Sequence, residues 1–208
     1  MSGRRLHVER GGRGPALVLL HGFTGSGRSL AGVASAFAQE FETLVPDLPG
    51  HGHSVGEAGA VGRDFDDCVD ALVATLESAG RARAHWLGYS MGARLALACA
   101  VRHPERVASL VLVAARAGIE DPLEREARRR ADAALAARLE AQGIAAFVDE
   151  WMAQPLFETQ RRLGSGFLEA ARRARLANDA RELAASLRTL GPGAQPPLFD
   201  SLPGLQVP

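Results

Sequence analysis

Ser90 lies in Gly88-Tyr89-Ser90-Met91-Gly92, a G-x-S-x-G pattern. It follows the apolar run Ala84 to Gly88 and opens the helical pattern Met91 to His103. A serine on such a strand-to-helix turn is held as a nucleophile or base, because the turn lifts its hydroxyl above the sheet. The turn is tight, so the residues two before and two after must be small. The site then lies at the carboxyl end of a parallel sheet, where open sheets bind ligands, and at a helix N-terminus that favours negative charge. Oxyanion donors for such a serine come from the backbone N–H after it and from one in a neighbouring loop. Here those are Met91 and, in His21-Gly22-Phe23, Phe23. His21 is expected to brace its loop. In Asp47-Leu48-Pro49-Gly50-His51-Gly52-His53-Ser54, His51 and His53 have H-x-H spacing, but no third ligand cluster is evident in the sequence, so no metal is expected.

These residues need a scaffold, and short apolar runs alternating with helical patterns predict a parallel sheet covered on both faces. Strands are expected at Ala16 to Leu20, from Thr43 to Pro46, at Ala84 to Gly88 and at Val107 to Val113. Helices are expected at Leu30 to Phe41, Phe65 to Ala79 and Met91 to His103. Beyond Ala115 the pattern is helical without strands, at Leu123 to Gln142, Ile144 to Met152, Arg161 to Leu176 and Arg181 to Leu190. Gly191 to Pro197 is a Pro/Gly turn, Leu198 to Leu202 has room for one last helical turn, and Gly204 to Pro208 approaches a further strand. The organisation expected is a core over residues 1–115, a helical lid over 116–190 and a return to the core over 191–208.

The chain has 208 residues, 47% of them hydrophobic, enough for one domain with a sizeable core. Its 24 basic residues, all Arg, balance 24 acidic ones, giving no global charge to draw nucleic acid. Cys68 and Cys99 are expected as buried thiols. No signal peptide and no run long enough to span a bilayer is seen, so a cytoplasmic protein without a membrane partner is expected. No phosphate loop, dinucleotide fingerprint or other cofactor set is present.

HGF, DLPGHGHS, GYSMG and HPERV, in this order, resemble the α/β-hydrolase superfamily. Within it the chain most resembles the 2-succinyl-6-hydroxy-2,4-cyclohexadiene-1-carboxylate synthases of menaquinone biosynthesis. GYSMGAR at Gly88 to Arg94, REARRRAD at Arg125 to Asp132, EWMAQPLF at Glu150 to Phe157 and the stretch Arg175 to Phe199 carry that likeness. It implies a lyase that expels pyruvate from a small polycarboxylate, with the serine acting as a base. It also implies substrate binding by Tyr89, Arg94, Arg128, Trp151 and Arg175. Arg forks pair carboxylates bidentately, which suits that role. Arg129, Arg130, Arg172 and Arg173 are expected on solvated helix faces.

The fold's triad order is Ser, then Asp or Glu, then His. Only His103 follows Ser90, and the helix between carries it roughly 20 Å away. Asp200 precedes the strand after which the acid should come. The expectation is therefore a C-terminally truncated chain, lacking the last strands and poor at activating Ser90. The alternatives are a carboxylic-ester hydrolase, which would not need convergent cations, and a non-catalytic binding module.

Overall fold

The computed structural model describes residues 6–56, 62 and 64–208. Five strands form one sheet in the order β1-β3-β2-β4-β5: β1 Val8–Gly12, β2 Ala16–Leu20, β3 Glu42–Pro46, β4 Ala84–Tyr89 and β5 Val107–Val113. All neighbours are parallel except β1, which pairs antiparallel with β3 from Val8 opposite Pro46 to Gly12 opposite Glu42. The chain moves from β2 outward to β3, then returns to place β4 on the other side of β2. That reversal leaves a crevice above the carboxyl ends of β2 and β4, the place where such sheets bind ligands.

β2 is buried along its whole length. Leu17 and Leu19 face one layer, with Leu30, Val33 and Phe41 around them. Val18 and Leu20 face the other, with Leu72, Trp86 and Leu95. This is the period of two that makes a doubly covered strand read as a continuous apolar run. The covering helices are α1 Ala31–Phe37 on the first face, and α2 Phe65–Ser78 and α3 Met91–Arg102 on the second. Asp64 caps α2 by accepting from the Asp67 N–H at 2.8 Å. α3 is buried from Met91 to Ala100, Arg94 included.

Between β5 and residue 191 lie α4 Pro122–Met152, a 3-10 helix Pro155–Leu163, α5 Ser165–Leu176 and α6 Ala180–Leu190. α4 turns sharply at Gly143, whose φ of 80° favours glycine, so the two helical patterns of the sequence meet there. α4 and α6 enclose a second core of Ala136, Leu139, Phe147, Leu183, Ala184 and Leu187, and Phe23 from the β2 loop packs against it. Among the described residues no helix is long and apolar enough to cross a membrane.

The expected strands and long helices fall where the sequence placed them, with three differences. β1 was not expected, because Val-Glu-Arg-Gly-Gly has no apolar alternation. The first helix ends at Phe37, four residues early, where the chain turns back so that the Phe41 N–H reaches the Phe37 carbonyl. The final turn is a 3-10 helix at Phe199–Gly204, after which the Leu110 N–H of β5 donates to the Pro208 carbonyl at 2.9 Å.

Candidate active site

Ser90 joins β4 to α3 with φ 53° and ψ −111°, outside the regions a non-glycine residue adopts freely. The Ser90 N–H is tied to the Val113 carbonyl at 2.9 Å, and the Gly92 N–H to the His21 carbonyl at 3.1 Å. The flanking glycines are steric necessities. A Cβ at Gly88 would stand 2.5 Å from Ala93 Cα, and one at Gly92 would stand 2.4 Å from the Leu20 carbonyl oxygen. Helix and sheet approach too closely here for any side chain. Gly22 is similarly close to the serine, since a Cβ there would lie 3.5 Å from Ser90 Cβ and 3.0 Å from the Tyr89 ring.

Among the described residues, the N–H groups of Phe23 and Met91 have no hydrogen-bond acceptor, which leaves both oxyanion candidates beside the serine free to donate. No side chain among them hydrogen-bonds to the Ser90 hydroxyl. His21 is nearby but fully engaged: Nδ1 donates to the Gly22 carbonyl at 2.8 Å and Nε2 accepts from the Leu48 N–H at 2.9 Å. Burial pushes its pKa down to about 4, so it is neutral near pH 7. His21 therefore braces the loop. His51 does the same one loop further on, accepting from the Thr24 N–H and donating to the Pro49 carbonyl, with burial pushing its pKa down to about 3. His103 ends α3 and contacts Asp70 at 3.0 Å, away from the site. Asp200 is exposed on the 3-10 helix Phe199–Gly204.

His53 behaves differently from His51. With His7 and Asp47 it places three ligand-type atoms within 4.8 Å of one another, so the expectation that H-x-H has no further ligands nearby fails for His53. Asp47 is nonetheless committed to the fold. Burial raises its pKa, yet bonds from the His53 and Gly27 N–H groups hold it below the usual carboxylate value.

Ser90 lies in the wall of a cleft of about 380 Å³ between the sheet and the helical segments above it. Tyr89, Trp151 and Arg175 also line it. Phe23 meets Trp151 edge-on at 5.4 Å, Trp151 stacks on Phe147, and the Arg175 guanidinium lies 5.6 Å from the Phe157 ring centre. Arg175 Nη1 donates to the Ala171 carbonyl at 2.9 Å. Its Nε and the Trp151 Nε1 are buried without a partner among the described residues. Burial lowers the Arg175 pKa.

Arg94 and Arg128, expected in this wall, are not among its lining residues. Arg94 is buried in the scaffold, donating to the Leu190 carbonyl at 2.6 Å and to Gln195 Oε1 at 3.3 Å. Burial lowers its pKa to about 10, Arg128 adding to the shift and Asp132 opposing it. Arg128 donates to Asp132 Oδ1 at 2.7 Å, and that carboxylate also accepts from the Gly193 N–H. Arg94 thus fastens the end of α6 and Gln195 to α3, and Asp132, paired with Arg128, fastens Gly193 to α4. Sequence reasoning missed three polar lining residues, Arg28, Ser29 and Gln160. Arg28 had no periodicity to mark it; its closeness to the HGF loop was the available signal.

The alpha/beta hydrolase fold family model matches residues 15–195. Over 195 residues the chain is 34% identical to a putative 2-succinyl-6-hydroxy-2,4-cyclohexadiene-1-carboxylate synthase of Bacillus subtilis (strain 168), covering 93% of this chain and 70% of that one. It is 33% identical to the synthase of that name from Serratia proteamaculans (strain 568), covering 93% and 74%. Among solved structures, MenH from S. aureus superposes with a TM-score of 0.89 at 30% identity, covering 97% of this chain and 77% of that one. A malate-bound thermophilic esterase from Thermogutta terrifontis superposes with a TM-score of 0.80 at 28% identity, covering 98% and 72%.

Proposed function

We propose, from the premise that this chain belongs to the α/β-hydrolase fold family alongside the 2-succinyl-6-hydroxy-2,4-cyclohexadiene-1-carboxylate synthases, that it is a carbon–oxygen lyase. The substrate would be 2-succinyl-5-enolpyruvyl-6-hydroxy-3-cyclohexene-1-carboxylate, a step of menaquinone biosynthesis. A base removes a ring proton, the C–H electron pair becomes a ring double bond, and the C–O bond to the enolpyruvyl group breaks. The departing enolpyruvate is protonated on carbon to give pyruvate. In this reading Ser90 is the residue that takes the ring proton, and it needs a base of its own to do so. The N–H groups of Phe23 and Met91 face the oxygen on which charge collects. Tyr89, Trp151 and Arg175 orient the carboxylates. Arg94 and Arg128 hold the wall that carries them.

The observation that carries this reading is that Tyr89, Trp151 and Arg175 stand in the wall of the cleft that Ser90 lines. A carboxylate pairs with the Arg175 guanidinium, and a cationic fork makes its strongest hydrogen bonds to such an acceptor. The test is pyruvate release from the substrate above, with Ser90→Ala alongside. Equal release by both proteins would refute it.

A carboxylic-ester hydrolase is the second reading, favoured by the likeness to the esterase and by the free Phe23 and Met91 N–H groups. Ser90-dependent hydrolysis of p-nitrophenyl acetate, with no pyruvate release from the polycarboxylate, would select it.

A further inference from the structure

The Ser90 cleft adjoins a second one of about 450 Å³. The two share Arg28 and Ala174, and Ser26, His53, Arg173 and Asn178 help line the second. Arg28 and Arg175 are the arginines in the wall of the first cleft, and Arg28 and Arg173 those of the second.

The backbone beneath Arg28 is fixed. The Gly27 N–H donates to the buried Asp47 carboxylate at 2.7 Å, and the Ser26 N–H donates to Ser29 Oγ at 3.1 Å. A Cβ at Gly27 would meet the Val45 carbonyl oxygen at 3.0 Å, so the chain lies directly against β3. The side chain above this anchor is uncommitted. Among the described residues its one ion pair is to Glu9 at 3.6 Å, and it is 75% exposed. Such a pair holds a guanidinium weakly. Arg173 is similar, 3.9 Å from Glu169 and exposed. Arg94 and Arg128, by contrast, have their donors occupied inside the scaffold.

We infer that Arg28 is a specificity-determining residue that binds the distal carboxylate of an extended dicarboxylate arm, where the Ser90 cleft opens into the second one. This rests on the reading of the Ser90 cleft as a carboxylate site. Arg175 takes the proximal carboxylate beside Ser90, and Arg28, with Arg173 behind it, takes the far end of the arm. The cleft then prefers ligands with two separated carboxylates over those with one.

The test is titration of the intact chain with adipate and with its monomethyl ester, read by fluorescence of Trp151, which lies in the cleft wall while Trp86 is buried in the core. The parent is expected to bind adipate about tenfold more tightly than the ester, the factor that about 1.4 kcal/mol supports. Arg28→Gln is expected to abolish the preference and Arg28→Lys to restore part of it, while Arg175→Gln weakens both ligands. An Arg28→Gln protein that keeps the preference overturns the inference, as does a parent that binds neither ligand or both equally. With the polycarboxylate substrate, Arg28→Gln should raise KM more than it lowers kcat. Ser90-dependent pyruvate release with KM unchanged in Arg28→Gln refutes the role of Arg28 alone. An Arg28-dependent preference for adipate without pyruvate release refutes the elimination reaction alone.

Discussion

At the scale of single residues, the site is a strained serine beside two free N–H donors, in a cleft with Trp151 and Arg175 in its wall. Charge-assisted hydrogen bonds contribute about 1.5–3 kcal/mol, so Arg175→Ala should lower kcat/KM for the polycarboxylate by about tenfold to a hundredfold. Hydrolysis of the neutral p-nitrophenyl acetate should change far less; equal losses on both would show that Arg175 serves only packing. The buried histidines make a separate prediction. His21 and His51 have pKa values pushed to about 4 and about 3 in the fold, against 6.5 when released. The unfolded chain therefore binds more protons between those limits. Stability should be fully present above about pH 6.5 and fall as the pH drops towards about 4. His51→Gln keeps an acceptor for the Thr24 N–H and should flatten that fall in melting temperature. An unchanged slope would remove His51 from the account. Ser90 and its glycines were legible in the sequence because steric necessity leaves its mark in residue type. The partners of the arginines were not. The likeness implied that Arg94 binds substrate, whereas the Leu190 carbonyl at the end of α6 and Gln195 beyond it claim its guanidinium.

At the scale of elements, placement follows from β2 and β4 ending side by side where the strand order reverses. The loop after β2 and the turn after β4 then meet without further design. β2, β4 and α3 were readable because a doubly covered strand and a buried helix have distinct apolar periods. β1 was not, since register with β3 and not burial defines it. α3 also anchors the end of α6 through Arg94, whose bond to the Leu190 carbonyl is 2.6 Å. Arg94→Met keeps much of the volume but leaves that buried carbonyl unsatisfied, a cost of about 1–3 kcal/mol. A lowered melting temperature without any ligand is expected. An unchanged melt with weakened substrate binding would instead return Arg94 to the cleft.

At the scale of the whole molecule, sheet and helical segments form two cores that meet at Phe23, and the Ser90 cleft lies at that junction. The chain spans 70% of the length of its Bacillus subtilis relative. Among the described residues no imidazole is hydrogen-bonded to Ser90, and both nitrogens of His21 are occupied by the backbone. Taking the proton of Ser90 requires a base. An imidazole added to the solution can fill the role of that base. The most direct test is pyruvate release from the polycarboxylate by the 208-residue chain and by Ser90→Ala, each with and without added imidazole. The expected result is release that requires Ser90 and rises with imidazole in the parent alone. Release that is equal in Ser90→Ala, or absent from the parent even with imidazole, would contradict it.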